Sequence, residues 1–330
     1  MTKPLVIYHA NCADGFGAAF AAWLALGGEA EYRPMRYGDA AEEFHATDRE
    51  VFILDFSFPR EVMDYFFSVA ERVVWLDHHK TAFEMWCGGM NSPAVKDGKF
   101  GVIGYDVERI TKVIALDNNK SGAMLAWEYF HPDTEIPMLI KHIDDYDRWQ
   151  FKLAGTKEFN KALWSYAPWS FEQWRDWVFQ LDHNLDGPYL SDHITAPFIK
   201  EGAAILRAHD QNVQSVVKGA ARKVSVCMAY GPCGGGGESG PVEYDGQFAD
   251  GLAANCPPHL TSDVGHELAV QSGTFGLCWT LNQTKPVANC SLRSNGDYDV
   301  SAIAKAFGGG GHKNAAGFEV PIATLLGWLV

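Results

Sequence analysis

No run of about 18 apolar residues occurs in this chain of 330, so no membrane-spanning helix is expected. No C-x-x-C pair occurs among its seven cysteines, Cys12, Cys87, Cys227, Cys233, Cys256, Cys278 and Cys290. An odd, scattered set speaks against a disulfide framework or a structural zinc site and fits reduced thiols in the cytoplasm. Basic charge is in deficit: 27 Lys and Arg stand against 41 Asp and Glu, a formal charge of −14. That excludes a protein that coats long nucleic acid or duplex through a broad basic face. It leaves room for a small phosphate substrate, because bound metals would supply positive charge locally. The glycine run Gly234 to Gly237 has no adjacent Lys-Ser or Lys-Thr and is a loop rather than a P-loop. No internal repeat is present. Met1-Thr2-Lys3-Pro4 leads straight into a strand signal, so no secretory leader is expected.

What the chain has is a β-α-β rhythm. Leu5 to His9 reads as a strand, and the alanine-rich Asp14 to Leu26 as a buried helix. Tyr32 to Met35 reads as a short strand, Val51 to Asp55 and Val73 to Asp77 as strands, and Pro59 to Ala70 as a helix opened by its proline. Val113 to Leu116 and Ser121 to Phe130 extend the alternation, which implies an α/β domain with a doubly wound, mainly parallel sheet. From about residue 135 to 218 strand signals vanish and aromatics recur at helical spacing, as in Phe171, Trp174, Trp177, Val178 and Leu181; these read as core. Thr195 to Lys218 reads as one connecting helix with Pro197 in its first turn. Strands return at Lys223 to Ala229, Phe275 to Leu281 and Val287 to Arg293, with a short helix at Val300 to Phe307. The division expected is 1–194 for the first domain, 195–219 for the connecting helix, and 220–330 for a smaller mixed α+β domain.

Three apolar runs end abruptly in Asp or His. The first is Val6 to Tyr8, followed by His9 and, at the next helix start, Asp14; the second is Val51 to Leu54, followed by Asp55; the third is Val73 to Leu76, followed by Asp77-His78-His79. In open parallel sheets ligands bind beyond the carboxyl ends of the strands. A single Asp after a strand is often only a helix cap. Several carboxylates and imidazoles delivered to one edge form a cluster that calls for cations. Such hard oxygen and imidazole donors suit Mn²⁺ or Mg²⁺, with Zn²⁺ or Fe²⁺ as alternatives. A thiol enzyme built on Cys12 near His9 lacks supporting residues.

Asp77-His78-His79 resembles the signature of the DHH phosphoesterases, and Gly308-Gly309-Gly310-Gly311-His312-Lys313-Asn314-Ala315-Ala316-Gly317-Phe318 resembles that of the companion DHHA1 domain. The segment from Val6 to Gly15 and Asp55 resemble two further motifs of that group, so the likeness covers most of the chain. It implies a DHH catalytic domain joined to a DHHA1 substrate-binding domain, and a site for two divalent cations, usually Mn²⁺. By position, His9, Asp14, Asp55, His78 and Asp145 would be metal ligands, with Asp55 the bridge; Asp144 and Asp147 are alternatives to Asp145. Asp77 would be a ligand or would orient its neighbouring histidine, and His79 would act on the substrate phosphate or leaving oxygen. Arg293, Gly309, Gly310, Gly311 and His312 would hold another substrate phosphate, the glycine amides as an anion nest and His312 at a helix start. One departure is visible. Many members carry two aspartates in the first motif, whereas here Asn11-Cys12-Ala13 precedes Asp14; Asn11 could coordinate weakly and Cys12 could take a softer metal.

The activity implied is hydrolysis of phosphoester bonds in short single-stranded oligonucleotides or small nucleotides by metal-activated water, in the manner of nanoRNases and bisphosphate nucleotide phosphatases. A cytoplasmic enzyme, able to form a homodimer and with no membrane partner, is the expectation. The alternative is a catalytically impaired nucleotide-binding or regulatory protein of the same fold.

Overall fold

The computed structural model describes residues 2–36, 39, 44–106, 109–181, 188–190, 194–227 and 248–329. The chain divides into two compact units, Met1–Leu206 and Arg207–Val330. The glycine run at 231–237 and the end of the strand expected at 223–229 lie outside the described residues.

The first unit runs β1 (Leu5–His9), α1 (Ala13–Leu26), β2 (Glu31–Met35), β3 (Glu50–Leu54), α2 (Arg60–Val69), β4 (Arg72–Asp77), α3 (Lys80–Cys87), β5 (Lys99–Asp106), β6 (Arg109–Asp117), α4 (Gly122–Phe130), α5 (Met138–Asp147), α6 (Thr156–Ser165) and α7 (Phe171–Val178). Its sheet has the order β2-β1-β3-β4-β6-β5, parallel except for β5. The apolar runs form central strands because both of their faces are buried. Val6, Phe52, Leu54, Val74 and Leu76 pack on one side with α1 and α4, while Leu5, Ile7, Val51, Ile53, Val73 and Trp75 pack on the other. Each such side chain stabilises the fold by about 1.5–3 kcal/mol. A one-residue slip would exchange the two sets, so the register is fixed, and with it the level at which His9, Asp55 and Asp77 leave the sheet. Chain order reverses at the β1–β3 pair, the place where α/β sheets open a crevice at their carboxyl edge.

Among the described residues, the middle of the chain is helical apart from a two-stranded ribbon that the sequence did not announce, β7 (Phe179–Leu181) with β8 (Pro188–Leu190). Trp174 and Val178 are buried, so the helical aromatic spacing marks core. The long α8 (Thr195–Ala220) carries the chain into the second unit.

That unit comprises β9 (Arg222–Cys227), β10 (Phe248–Asn255), α9 (Thr261–Ser272), β11 (Phe275–Leu281), β12 (Val287–Ser294), α10 (Val300–Ala306), β13 (Gly310–His312), β14 (Ala315–Pro321) and α11 (Ile322–Trp328). The sheet order is β13-β14-β12-β11-β10-β9, antiparallel except where β10 meets β11. The fold is therefore an α/β domain with a mainly parallel sheet, joined by helices to a smaller mixed α+β domain. No helix among the described residues is long and apolar enough to cross a membrane.

Candidate metal centre

The carboxyl ends of β1, β3 and β4 deliver their side chains to one place. Two groups of ligating atoms form there, His9 with Asp55 and His79, and Asp14 with Asp55 and His78; within each group the atoms lie within 4.8 Å of one another. Asp55 belongs to both. Its Oδ1 lies 3.2 Å from His78 Nε2, and its Oδ2 lies 3.5 Å from His9 Nδ1. Asp55 adopts a left-handed backbone, φ +52°, directly after β3. Aspartate tolerates that region better than most side chains.

Asp14, in the first turn of α1, is buried, and both its oxygens are held by the start of α4: Gly122 N donates to Oδ2 at 2.7 Å and Ala123 N to Oδ1 at 2.8 Å. Its Oδ2 is 3.5 Å from His78 Nε2. Residue 122 must lack a side chain, because a Cβ there would overlap the Asp55 carboxylate.

Asp77 takes a different part. Its Oδ1 accepts from His78 N (2.7 Å), His79 N (3.1 Å) and His79 Nδ1 (2.6 Å). It belongs to neither ligating group and instead orients the His79 ring, as outer carboxylates do for ligating imidazoles. His79 itself, expected to face substrate, lies with His9 and Asp55.

The acidic run at the end of α5 sorts differently from the sequence expectation. Asp147, not Asp145, reaches the cluster, with Oδ2 3.6 Å from His78 Nε2. Asp145 is turned the other way and is fully engaged: it accepts from Lys152 N (2.8 Å), Leu153 N (3.0 Å) and Thr156 Oγ1 (2.6 Å). Asp144 accepts from Ser121 N at 2.7 Å and pairs with Arg148. Asn11 also departs from the expectation. With its amide oxygen turned to Arg36 it accepts from Nε (3.0 Å) and Nη2 (2.9 Å), and so faces away from a ligating role. Cys12 is half-buried at the start of α1.

Electrostatics follow from crowding charge in a dry place. Burial pushes the Asp14 carboxyl well up, reinforced by Asp55 and Asp147. Burial acts the same way on Asp55 but is outweighed by His78 and His9, which hold it far below the usual carboxylate range. Burial works against a charged His78, yet Asp55 and Asp147 prevail and raise it well above an ordinary histidine. His79 is raised likewise, by Asp77 against its burial, and Asp77 is correspondingly lowered. Asp147, its side chain 29% exposed, is raised by desolvation and by Asp55. The thiol of Cys12 is raised by burial and by Asp55.

Protons thus do in part what cations would do better. The residues fit divalent ions: the donors are hard carboxylates and imidazoles, and Asp55 Oδ1 and Asp77 Oδ2 are buried acceptors with no aligned donor. His9, Asp14, Asp55, His78 and His79, with Asp147 beside them, could hold two such ions with Asp55 in common.

In the second unit, Arg293 closes β12. Its Nη1 donates to Leu292 O (2.8 Å) and its Nη2 to Ser262 Oγ (3.0 Å). His312 lies in β13, not at a helix start, so the expected dipole contribution there falls away. Gly310, Gly311 and His312 pair with Gly317, Ala316 and Ala315 of β14. A Cβ at Gly309 would collide with Gly317 O, so that glycine answers first to strand packing.

Residues 274–326 match the DHHA1 domain. An uncharacterized protein of Acanthamoeba polyphaga mimivirus is 28% identical over 330 residues, covering 95% of this chain; the chain spans 66% of that relative, just under two thirds. Oligoribonuclease NrnB of Bacillus subtilis (strain 168) is 23% identical over 328 residues, covering 95% of this chain and 72% of the relative. The Mn²⁺ complex of RecJ from Thermus thermophilus aligns over 99% of this chain and 51% of that one, at 12% identity and a TM-score of 0.45. The likeness to the DHHA1 domain thus covers residues 274–326, and the relatives that span nearly the whole chain do so at low identity.

Proposed function

We propose that this protein is a divalent-metal phosphoesterase acting on short oligonucleotides or small nucleotides. The observation that carries the reading is the convergence of His9, Asp14, Asp55, His78 and His79 into two ligating groups that share one aspartate. The name of the Bacillus subtilis relative, an oligoribonuclease, supports short oligonucleotides as the substrate class. Bound divalent ions would supply Lewis acidity, offsetting charge on the phosphoryl oxygens and making water a nucleophile at neutral pH. Mn²⁺ suits a set that mixes carboxylates with imidazoles, and the harder Mg²⁺, which prefers oxygen donors, comes next.

The chain's own residues do the rest. Asp55, common to both groups, would hold either ion. The N–H groups of Gly122 and Ala123 fix both oxygens of Asp14, so it meets an ion without rotating. Asp77 holds the Nδ1 side of His79 and so fixes the orientation of the ring beside Asp55. Burial of Asp14, Asp55, Asp77 and His78 keeps bulk water from screening these charges. In the second unit, Arg293 and the Gly309–His312 hairpin are the groups we assign to a substrate phosphate. The arginine fork suits that task.

Hydrolysis of bis-p-nitrophenyl phosphate, dinucleotides, short RNA and DNA, and a nucleoside 3′,5′-bisphosphate tests the reading, with Mn²⁺ added and withheld. Mn²⁺-dependent product release by the wild type, lost in Asp55→Asn, is the expected result. Nucleotide binding without turnover in any condition would replace the enzyme by a nucleotide-binding protein of the same fold.

A further inference from the structure

Asn11 and Arg36 form a pair at the carboxyl edge of the first sheet that the metal reading does not use. β1 and β2 run side by side with His9 opposite Met35, and Ala10 N donates to Met35 O at 2.8 Å. Arg36 is the next residue, and it is exposed. Paired strands lie about 4.8 Å apart and successive Cα atoms about 3.8 Å, so the Cα of Arg36 is within about 9 Å of that of His9. His9 belongs to one of the two ligating groups. The arginine therefore stands at the rim of the candidate centre.

An exposed arginine ordinarily samples many rotamers. This one is held at both ends. Its backbone N donates to Asp39 Oδ2 at 2.8 Å, and its Nε and Nη2 donate to the amide oxygen of Asn11 at 3.0 and 2.9 Å. The guanidinium has further N–H groups, on Nη1 and Nη2, beyond the two that Asn11 accepts. Its neighbours Arg33 and Arg49 both pair with Glu31, at 2.6 and 2.8 Å, whereas among the described residues no carboxylate pairs with the guanidinium of Arg36. Asn11 has a left-handed backbone, φ +55°. Asparagine and aspartate both tolerate that region, so the backbone does not select between them. Charge does. An aspartate would pair with Arg36 and neutralise it, and would add an anion to a place that already gathers Asp14, Asp55, Asp77 and Asp147. The amide holds the fork and leaves its charge to act on a ligand. In a chain of formal charge −14, that local cation is what an anionic substrate needs at this edge.

We propose that Arg36, oriented by Asn11, binds a substrate phosphate that neighbours the one at the metal centre. The inference rests on the phosphoesterase reading and adds to it a specificity residue in the first unit, with Asn11 as its positioning residue. Paired N–H groups of a guanidinium match two phosphate oxygens at once. A terminal phosphate monoester carries nearly two negative charges at neutral pH, against one on a diester, so the fork holds it more strongly. The favoured substrate therefore has a terminal phosphate beside the bond that is cut, and a diester with a single phosphate is a poorer one.

The test compares a dinucleotide with and without a terminal phosphate, placed at the 5′ or the 3′ end, under Mn²⁺. In the wild type, KM for one of the phosphorylated forms should be about 10–100-fold lower than for the unphosphorylated dinucleotide, the range that hydrogen bonds to charged groups provide. In Arg36→Gln that preference should collapse to about onefold, through KM rather than kcat. Asn11→Asp, which keeps the arginine and the shape of residue 11, should lower the preference severalfold and guards against an effect of Arg36→Gln on folding. In the Arg36→Gln background, Asn11→Asp should change the ratio no further, because the two residues act as one unit. A preference absent from the wild type, or retained in Arg36→Gln, would overturn the assignment and leave the phosphoesterase reading standing. An effect of Asn11→Asp that is the same with and without Arg36 would show that residue 11 acts on the ions directly, and would overturn it too. Failure of the wild type to hydrolyse any of the compounds would sink the phosphoesterase reading, and the assignment of Arg36 with it.

Discussion

Two loops in this molecule looked alike as sites and differ in structure. The carboxyl edge of the first sheet gathers Asp14, Asp55, His78 and His79, with Asp55 Oδ1 and Asp77 Oδ2 buried and without an aligned donor. The glycine hairpin of the second unit has its backbone paired strand to strand, and Gly309 fits there because Gly317 leaves no room for a Cβ. The first arrangement leaves buried acceptors that a cation would satisfy. The second is complete as protein, so a substrate would have to bind to groups the fold already uses. Chemistry left unsatisfied is therefore stronger evidence of a site than a glycine-rich motif.

Substitutions can break that contrast. The largest effect is expected from Asp55→Asn, which removes the carboxylate common to both groups. Mn²⁺-dependent turnover should fall on the order of a thousandfold, the upper range for losing one preorganised electrostatic group, and calorimetry should show loss of Mn²⁺ binding. Gly309→Ala should instead act on stability, costing about 3 kcal/mol by overpacking, read as a lower midpoint in urea, with Mn²⁺ stoichiometry of the folded protein unchanged. If Gly309→Ala abolished metal binding and left stability intact, the contrast would be reversed. Asp77→Asn should reduce Mn²⁺ affinity or activity about 10–100-fold by releasing the His79 ring. Asp145→Asn, which weakens three hydrogen bonds to a charged acceptor, should lower stability by about 2 kcal/mol in thermal or urea unfolding while Mn²⁺ binding persists. Asp147→Asn should do the opposite.

The smallest and most diagnostic effect is that of pH. The folded-state values of His78 and His79 are raised, so in metal-free protein their contribution is complete below the ordinary histidine value of about 6.5 and is lost as pH climbs through the raised values. Asp14, also raised, acts in the same direction. Metal-free stability should therefore decline above about pH 6.5, by about 1.4 kcal/mol per pH unit for each linked proton. Ion binding requires unprotonated imidazoles, so the stabilisation by added Mn²⁺ should grow over the same interval. Thermal unfolding with Mn²⁺ or with chelator, from about pH 6 to 9, checks both slopes. Parallel slopes would remove the case for ions at these histidines.

Much of the first unit was legible because its strands are buried on both faces: each apolar run stops where the sheet stops, and the next polar residue lies at the edge. Ser121 at the start of α4 and Pro197 in the first turn of α8 were equally local signals. What escaped was phase and pairing. Asp145 and Asp147 are two positions apart on α5, about 200° around a helix, so one faces the cluster when the other faces the turn, and the sequence does not say which. β10 and α9 went unread because Asp250 and Gly251 interrupt the strand and polar residues crowd the helix; their apolar atoms are covered by β9, β11 and α8. Arg36 as the partner of Asn11 is a contact across the β1–β2 edge that no spacing rule reveals.

The grip of Gly122 and Ala123 on Asp14 joins positions more than a hundred residues apart. During synthesis, a nascent chain that has emerged only through α3 possesses His9, Asp55, His78 and His79 but lacks the two N–H groups that hold Asp14. The Asp14 arm of the candidate centre is therefore complete only once the fourth helix has docked.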